Sequence, residues 1–111
     1  MNPVRFPFGP ADVQSVAAAA NIAITVENGG LTYVKISALT AATTITATVP
    51  ADMPNGGKLI IELPCGATAR DTTFSTGFTG AVVTGVINKT KVASFIYIDG
   101  SFIQESVNQI N

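Results

Sequence analysis

The chain has 111 residues, with six Lys or Arg, seven Asp or Glu, no His, no Trp and one Cys, which is the size of a single domain with one modest core. A net charge of −1 provides no cationic surface for a phosphate backbone, and the lack of His removes the commonest general base and metal ligand. Charged residues make up 12% of the sequence, about half the usual share. Because depletion of charge is typical of surfaces that contact other protein, we expect a protein partner and neither a nucleic acid nor a membrane.

The composition predicts the fold class. The chain contains 11 Val, 11 Ile and 14 Thr but only four Leu, and β-branched side chains favour pleated sheets over helices. Gly and Pro interrupt short apolar runs at the spacing of strands joined by turns. We therefore expect an all-β chain, a single-domain β-sandwich or jelly-roll-like module of about eight short strands with an extended N-terminal arm. An up-and-down barrel fits the same number of strands.

Residues 1–20 are predicted to form the arm, and residues 21–111 the β domain. The first ten residues include three prolines, which lack an N–H and hold the preceding residue extended. Apolar side chains on such an arm would be left in water unless a neighbour covers them. The predicted partner-binding residues are Val4, Phe6, Pro7 and Phe8.

The rest of the arm is ambiguous. In residues 11–20, Asp12 could cap a short helix and Ala17–Ala20 are good helix formers. The same alanines could pack in a strand that lies close to its neighbour. A short helix and a strand are both compatible with this segment.

The first half of the β domain shows apolar residues at every second position. Residues 22–26 and 31–37 flank the dipeptide Asn28-Gly29, which predicts a β-hairpin. The next predicted strand turns Ile45 inward and a row of threonines outward, and a strand from Lys58 presents Leu59, Ile61 and Leu63 to the core. The outward threonines are Thr44, Thr46 and Thr48.

The second half begins with an irregular segment, residues 64–81, predicted as loops around a short strand near residues 72–75. A strand is also expected within residues 81–87. Residues 91–98 are apolar on both faces, with Phe95 and Tyr97 on one and Ile96 and Ile98 on the other. Such a strand is expected at the centre of a sheet, followed by a tight Asp99-Gly100 turn into residues 101–105.

The polar residues predict no catalytic, cofactor or metal site. Of the seven carboxylates, Glu27, Asp52 and Asp99 fall in turns. Cys65 has no His to act as its base. One Cys cannot form a cysteine zinc site, and no apolar run approaches the roughly 18 residues of a membrane-spanning helix. We therefore expect no enzyme and no cofactor.

The last third of the chain resembles a known group of proteins. An apolar strand with Phe95 and Tyr97, an Asp99-Gly100 turn and a returning strand that starts Ser101-Phe102 are similar to small β modules of bacteriophage virion proteins. These include head decoration, head-fibre and some tail-fibre proteins, although the returning strand has Ile103 where many of those modules have Trp. The resemblance implies a non-enzymatic virion protein, often a homotrimer, without a cofactor.

Two functions from different classes follow as expectations. The first is a structural virion protein of the capsid decoration (cement or auxiliary) or head-fibre type. It would be made in the host cytoplasm and bound to the capsid exterior through its arm and β faces, with the major capsid protein or another virion protein as partner. The alternative is a receptor-binding or adhesion module of a tail fibre that recognises host glycan. The aromatic candidates for that second role are Tyr33, Phe74 and Phe78.

Overall fold

The structure is a computed structural model that describes residues 12–27 and 30–110. Within these ranges the chain contains strands and no helix, which confirms the all-β prediction. The nine strands are β1 (Asp12–Val16), β2 (Asn21–Thr25), β3 (Leu31–Ile36), β4 (Thr43–Thr48), β5 (Lys58–Pro64), β6 (Thr72–Phe74), β7 (Phe78–Thr79), β8 (Thr90–Ile98) and β9 (Ser101–Gln109). They form one six-stranded and one three-stranded sheet.

The first six strands alternate between the two sheets as the chain winds through three coils. Strands β1, β3 and β5 lie side by side and parallel in the large sheet, and β2, β4 and β6 do the same in the small sheet. Each coil therefore contributes one strand to each sheet, which is the arrangement of a two-sheet β-solenoid. The large sheet then continues from β5 through the antiparallel strands β8 and β9 to the short edge strand β7.

The alternation of side chains in the sequence explains the core between the sheets. Every second residue of β2, β3 and β5 is buried, and all of these residues except Thr32 belong to one apolar cluster together with Ile45, Phe95 and Phe102. Period two places one set of side chains on each face of a strand. The predicted inward orientation of Ile45, Leu59, Ile61 and Leu63 is confirmed, since all four are at most 2% exposed.

The corners of successive coils stack by hydrogen bonds as well as by packing. The Ser37 amide donates to the Val16 carbonyl at 3.1 Å, and the Leu39 amide donates to the Pro64 carbonyl at 2.8 Å. Ala17–Ala20 form the first corner between β1 and β2. Of these four, Ala18 packs against the core and the other three are exposed.

The hairpin of β8 and β9 completes the large sheet. Strand β8 lies between β5 and β9, so the prediction of a central strand over 91–98 is confirmed. Asp99 (φ 47°) and Gly100 (φ 92°) form a two-residue turn, and two positive φ values are what a type I′ turn requires. Asn55 fastens this turn, because its amide group donates to the Asp99 carboxylate at 3.1 Å and its Oδ1 accepts from the Asp99 amide at 2.9 Å.

The connectivity of the strands differs from the predicted sandwich or jelly roll. Neighbouring strands of the first three coils are parallel, whereas those folds are built from antiparallel strands. The hairpin predicted at Asn28-Gly29 is wrong, because β2 pairs with β4 and β3 pairs with β1 and β5. Residues 28 and 29 themselves lie outside the described residues. A coil and a hairpin produce the same alternating pattern, so the pattern alone does not determine which strands pair.

Two further segments of the chain differ from their predicted structure. The β domain was predicted to start at residue 21, with a possible helix before it, but β1 is a strand that pairs with β3 from Asp12 to Val16. Its main chain is thereby part of the large sheet. The segment 81–87 contributes an isolated bridge between Val83 and Thr72, and residues 81–87 form no named strand.

Candidate interaction surfaces

The large sheet has a second face, turned away from the core, that we call the outer face. Strand β5 crosses its middle and presents Lys58, Ile60 and Glu62 there, since Leu59, Ile61 and Leu63 point into the core. The neighbouring strands β3 and β8 continue this face on either side. On β3 the residues next to Lys58, Ile60 and Glu62 are, in that order, Leu31, Tyr33 and Lys35. On β8 they are Ile96, Ser94 and Val92. The outer face is therefore an ordered array on parallel and antiparallel strands, not a loop surface.

Apolar side chains are frequent on the outer face. Leu31, Ile60, Ile96 and Ile103 lie there half-buried by their neighbours in the sheet. Val13 at one edge and Ile98 near the hairpin turn are 62% and 41% exposed. A sheet that carries aliphatic residues on the face opposite its core has a surface composition closer to an interface core than to ordinary solvent-exposed surface.

The polar groups of the outer face include one ion pair and one tyrosine–carboxylate hydrogen bond. The Lys58 Nζ lies 2.7 Å from the Glu105 Oε1, with both side chains well exposed. The Tyr33 hydroxyl donates a hydrogen bond to the Glu62 carboxylate. This hydrogen bond, together with partial burial and the negative charge of Glu62, raises the pKa of Tyr33 above its usual value.

The small sheet presents threonines to solvent, as the sequence predicts. Thr44 lies between Asn21 and Thr73, Thr46 beside Ala23, and Thr48 beside Thr25, all on the face opposite Ile45. This face is uncharged. It consists mainly of hydroxyl and methyl groups, with the Asn21 carboxamide at one end, on three parallel strands. It offers hydrogen bonding without an ionisable group.

The sequence did not reveal that other threonines are buried. Thr32, Thr43 and Thr72 are at most 2% exposed, and Thr43 pairs with Thr72 in adjacent coils of the small sheet. The signal was available, because Thr43 is in phase with the inward Ile45 and Thr72 is in phase with Phe74. Threonine is mostly a surface residue, so the expectation of outward threonines did not include these buried ones.

The residues of the hairpin motif lie in the core and in the turn. Phe95 and Phe102 are fully buried and Tyr97 is 7% exposed, while Asp99 and Gly100 form the turn. Phe95 makes edge contacts with Phe74 and Phe78 at ring-centroid distances of 4.8 and 5.0 Å. The motif thus supplies an aromatic cluster that joins β8 and β9 to β6 and β7.

The same cluster removes two of the three aromatic candidates for glycan binding. Phe74 is 8% exposed and Phe78 packs against the core, so both rings are engaged by other rings of the cluster. Tyr33 remains at the surface, and its hydroxyl is hydrogen-bonded to Glu62.

One shallow hollow of about 460 Å³ lies at the edge of the large sheet, lined by residues 15–17 and 35–37. Lys35 is the only ionisable residue in its lining. In residues 12–27 and 30–110 no group of three Asp, Glu or Cys side chains is placed to hold a metal ion, and no helix there is long and apolar enough to cross a membrane.

The predicted partner-binding residues of the arm, Val4, Phe6, Pro7 and Phe8, lie outside the described residues. Comparison with protein-family models, with curated proteins and with solved structures finds no match to this chain.

Proposed function

We propose that this chain is a structural virion protein of the capsid decoration or head-fibre type, which binds the outside of a phage shell and performs no catalysis. The observation that carries the proposal is the outer face of the large sheet, where aliphatic side chains and an ion pair lie on an ordered surface opposite the core. Exposed aliphatic surface of this kind is typical of a protein that remains bound to other subunits, because the contact removes the apolar side chains from water.

The resemblance of the β8–β9 hairpin to phage virion modules supplies the class of partner. Under this proposal the partner is the major capsid protein or another virion protein, and the location is the capsid exterior after synthesis in the host cytoplasm. The resemblance also implies a homo-oligomer, a trimer in many such modules. The arm residues Val4, Phe6, Pro7 and Phe8 would anchor the chain by occupying pockets on a neighbour, as extended segments do.

The receptor-binding alternative has less support. Stacking on a sugar requires an accessible aromatic ring, and Phe74 and Phe78 are committed to the core. A reproducible signal on a glycan array would favour it over the structural role.

Cosedimentation with purified capsids tests the proposal. The capsids should be purified from the phage whose genome encodes this chain. We expect the full chain to bind them saturably and to remain bound after washing. A full chain that does not cosediment at all contradicts the proposal.

The role of the arm is tested in the same assay. The double variant Phe6→Ser, Phe8→Ser should reduce occupancy at least about tenfold, since two anchored aromatic rings supply more than the 1.4 kcal/mol that a factor of ten requires. The matched control is Val82→Ser with Ile87→Ser, which removes apolar side chains that are 52% and 53% exposed elsewhere on the surface. Undiminished binding by the arm variant shows that the arm is not the anchor.

A further inference from the structure

The outward residues of β5 are ordered so that the outer faces of two copies can complement each other. Along β5 the outward residues are Lys58, Ile60 and Glu62, a positive, an apolar and a negative side chain at successive outward positions. When two copies of β5 lie face to face and antiparallel, Ile60 meets Ile60 and each Lys58 lies opposite the Glu62 of the other copy. The parallel arrangement would place lysine against lysine and glutamate against glutamate, which is unfavourable.

Strand β8, one of the two neighbours of β5, is consistent with the same arrangement. On β8 the outward residues run Val92, Ser94 and Ile96, and Val92 and Ile96 pair with Glu62 and Lys58 respectively. The antiparallel superposition therefore places Ile96 of one copy over Val92 of the other, with small Ser94 beside the central Ile60. On these two strands aliphatic groups meet aliphatic groups and opposite charges meet. On β3, the other neighbour of β5, Leu31 of one copy meets the aliphatic stem of Lys35 of the other.

From these two strands we propose that the outer face binds the outer face of a second copy of this chain, about a two-fold axis that passes by Ile60 and runs perpendicular to the strands. Such an isologous contact uses the same patch on both partners. The proposal rests on the proposed structural function and deepens it, because it names the occupant of the outer face. It assembles the chain in pairs, in place of the threefold arrangement that the resemblance implies.

The size of the face limits the area that the contact can bury. Five strands about 4.8 Å apart and about five residues of about 3.3 Å each give a footprint of about 400 Å². Stable dimers commonly bury about 800 Å² per partner. We therefore expect a dimer that dissociates on dilution, and sedimentation velocity over a range of concentrations is the appropriate measurement.

The charge order provides the decisive variants. Lys58→Glu alone and Glu62→Lys alone should each weaken association about tenfold or more, since each places like charges opposite each other. The double variant Lys58→Glu, Glu62→Lys restores opposite charges across the axis and should dimerise as the natural chain does. It does not restore the bond of Lys58 to Glu105 or that of Tyr33 to Glu62, so rescue reports the contact between copies.

A second test uses the centre of the face. Ile60→Lys should abolish the dimer, while Thr46→Lys, an equally half-buried outward position in the middle of β4 on the small sheet, should leave it intact. Thermal unfolding of both variants verifies that they are folded. A natural chain that stays monomeric up to its solubility limit overturns the inference, as does a trimer, or a dimer unaffected by the charge reversals and by Ile60→Lys.

The capsid assay separates this inference from the proposed function. A monomer that cosediments with capsids overturns the two-fold contact and leaves the virion role standing. A dimer that follows the charge-reversal pattern but binds no capsid supports the contact and contradicts the virion role.

Discussion

Three buried threonines differ in what their hydroxyl groups contact. Thr43 Oγ1 lies 3.0 Å from the Ala41 carbonyl and 3.3 Å from the Ala19 carbonyl, so it can donate to the corners of two coils. Thr32 and Thr72 are equally buried, but among the described residues their Oγ1 atoms have no hydrogen-bond partner. A buried hydroxyl without a partner loses its hydration and gains nothing in exchange.

This contrast predicts opposite effects of the same substitution. Thr32→Val and Thr72→Val should each raise the free energy of unfolding by about 1 kcal/mol, because a methyl group replaces an unsatisfied hydroxyl of similar volume. Thr43→Val should lower it by about 1 kcal/mol through loss of its hydrogen bonds. Urea titrations of the three variants, analysed as two-state transitions, measure the differences. Equal destabilisation by all three would show that Thr32 and Thr72 have partners after all.

The pair of Tyr33 and Glu62 predicts a dependence on alkaline pH. The hydrogen bond to Glu62 raises the pKa of Tyr33 in the folded chain, so the folded state holds the phenolic proton more tightly than the unfolded state does. The stabilisation is therefore fully present below the ordinary tyrosine pKa of about 10 and is lost as the pH rises through the higher folded value. Glu62→Gln should move the pKa of Tyr33 down toward its ordinary value.

Ultraviolet titration of tyrosinate formation checks this shift. The chain has two tyrosines, and the variant Tyr33→Phe, which retains only Tyr97, identifies the transition that belongs to Tyr33. A Tyr33 transition that does not move in Glu62→Gln means that the carboxylate is not its partner in solution.

At the scale of single elements, the β8–β9 hairpin depends on its turn. Gly100 has a φ of 92°, and a Cβ added to it would meet no atom within 4 Å. Gly100→Ala should therefore cost about 1–2 kcal/mol through backbone strain alone. Gly66→Ala is the matched control, because its Cβ would also enter open space and its φ is not in the left-handed region. The control should change stability by less than about 0.5 kcal/mol, and equal urea midpoints for the two variants would contradict the account.

The strand faces could be predicted from the sequence because side-chain alternation is a local property. Ile22, Leu59 and Ile61 are buried as their positions in the alternating runs indicate. The Asp99-Gly100 turn was also predictable, since two adjacent residues with positive φ leave a clear signature.

The pairing of strands could not be predicted in the same way. The run before Asn28 has the same pattern whether the next strand returns beside it or crosses to the other sheet. The parallel partners Ile22 and Ile45 are held together by coil stacking, which depends on distant residues. The outer face could not be predicted either. It forms only when strands that are distant in the sequence pair with each other, as Lys58 of β5 does with Ile96 of β8.

At the scale of the whole molecule, the order of the strands determines how stability is distributed. Strands β1 and β2 form the first coil, and among the described strands each has one neighbour in its sheet, β3 and β4 respectively. Strands β5 and β8 have neighbours on both sides, and the aromatic cluster around Phe95 and Phe102 packs beside them. In a solenoid each coil is stabilised by the coils next to it, so an end coil has less support than an inner one.

This distribution predicts a gradient of amide hydrogen exchange. Amides of β1 and β2 should exchange through local opening with a lower free energy than those of β5 and β8, which should open only with global unfolding. Phe95→Ala provides the complementary perturbation, because removal of a fully buried ring should lower the global free energy by about 3–5 kcal/mol. Protection in β5 and β8 should then fall by that amount, whereas protection in β1 and β2, already set by local opening, should change less. Equal protection of all four strands in the natural chain, falling equally in Phe95→Ala, would mean that the coils unfold as one cooperative unit.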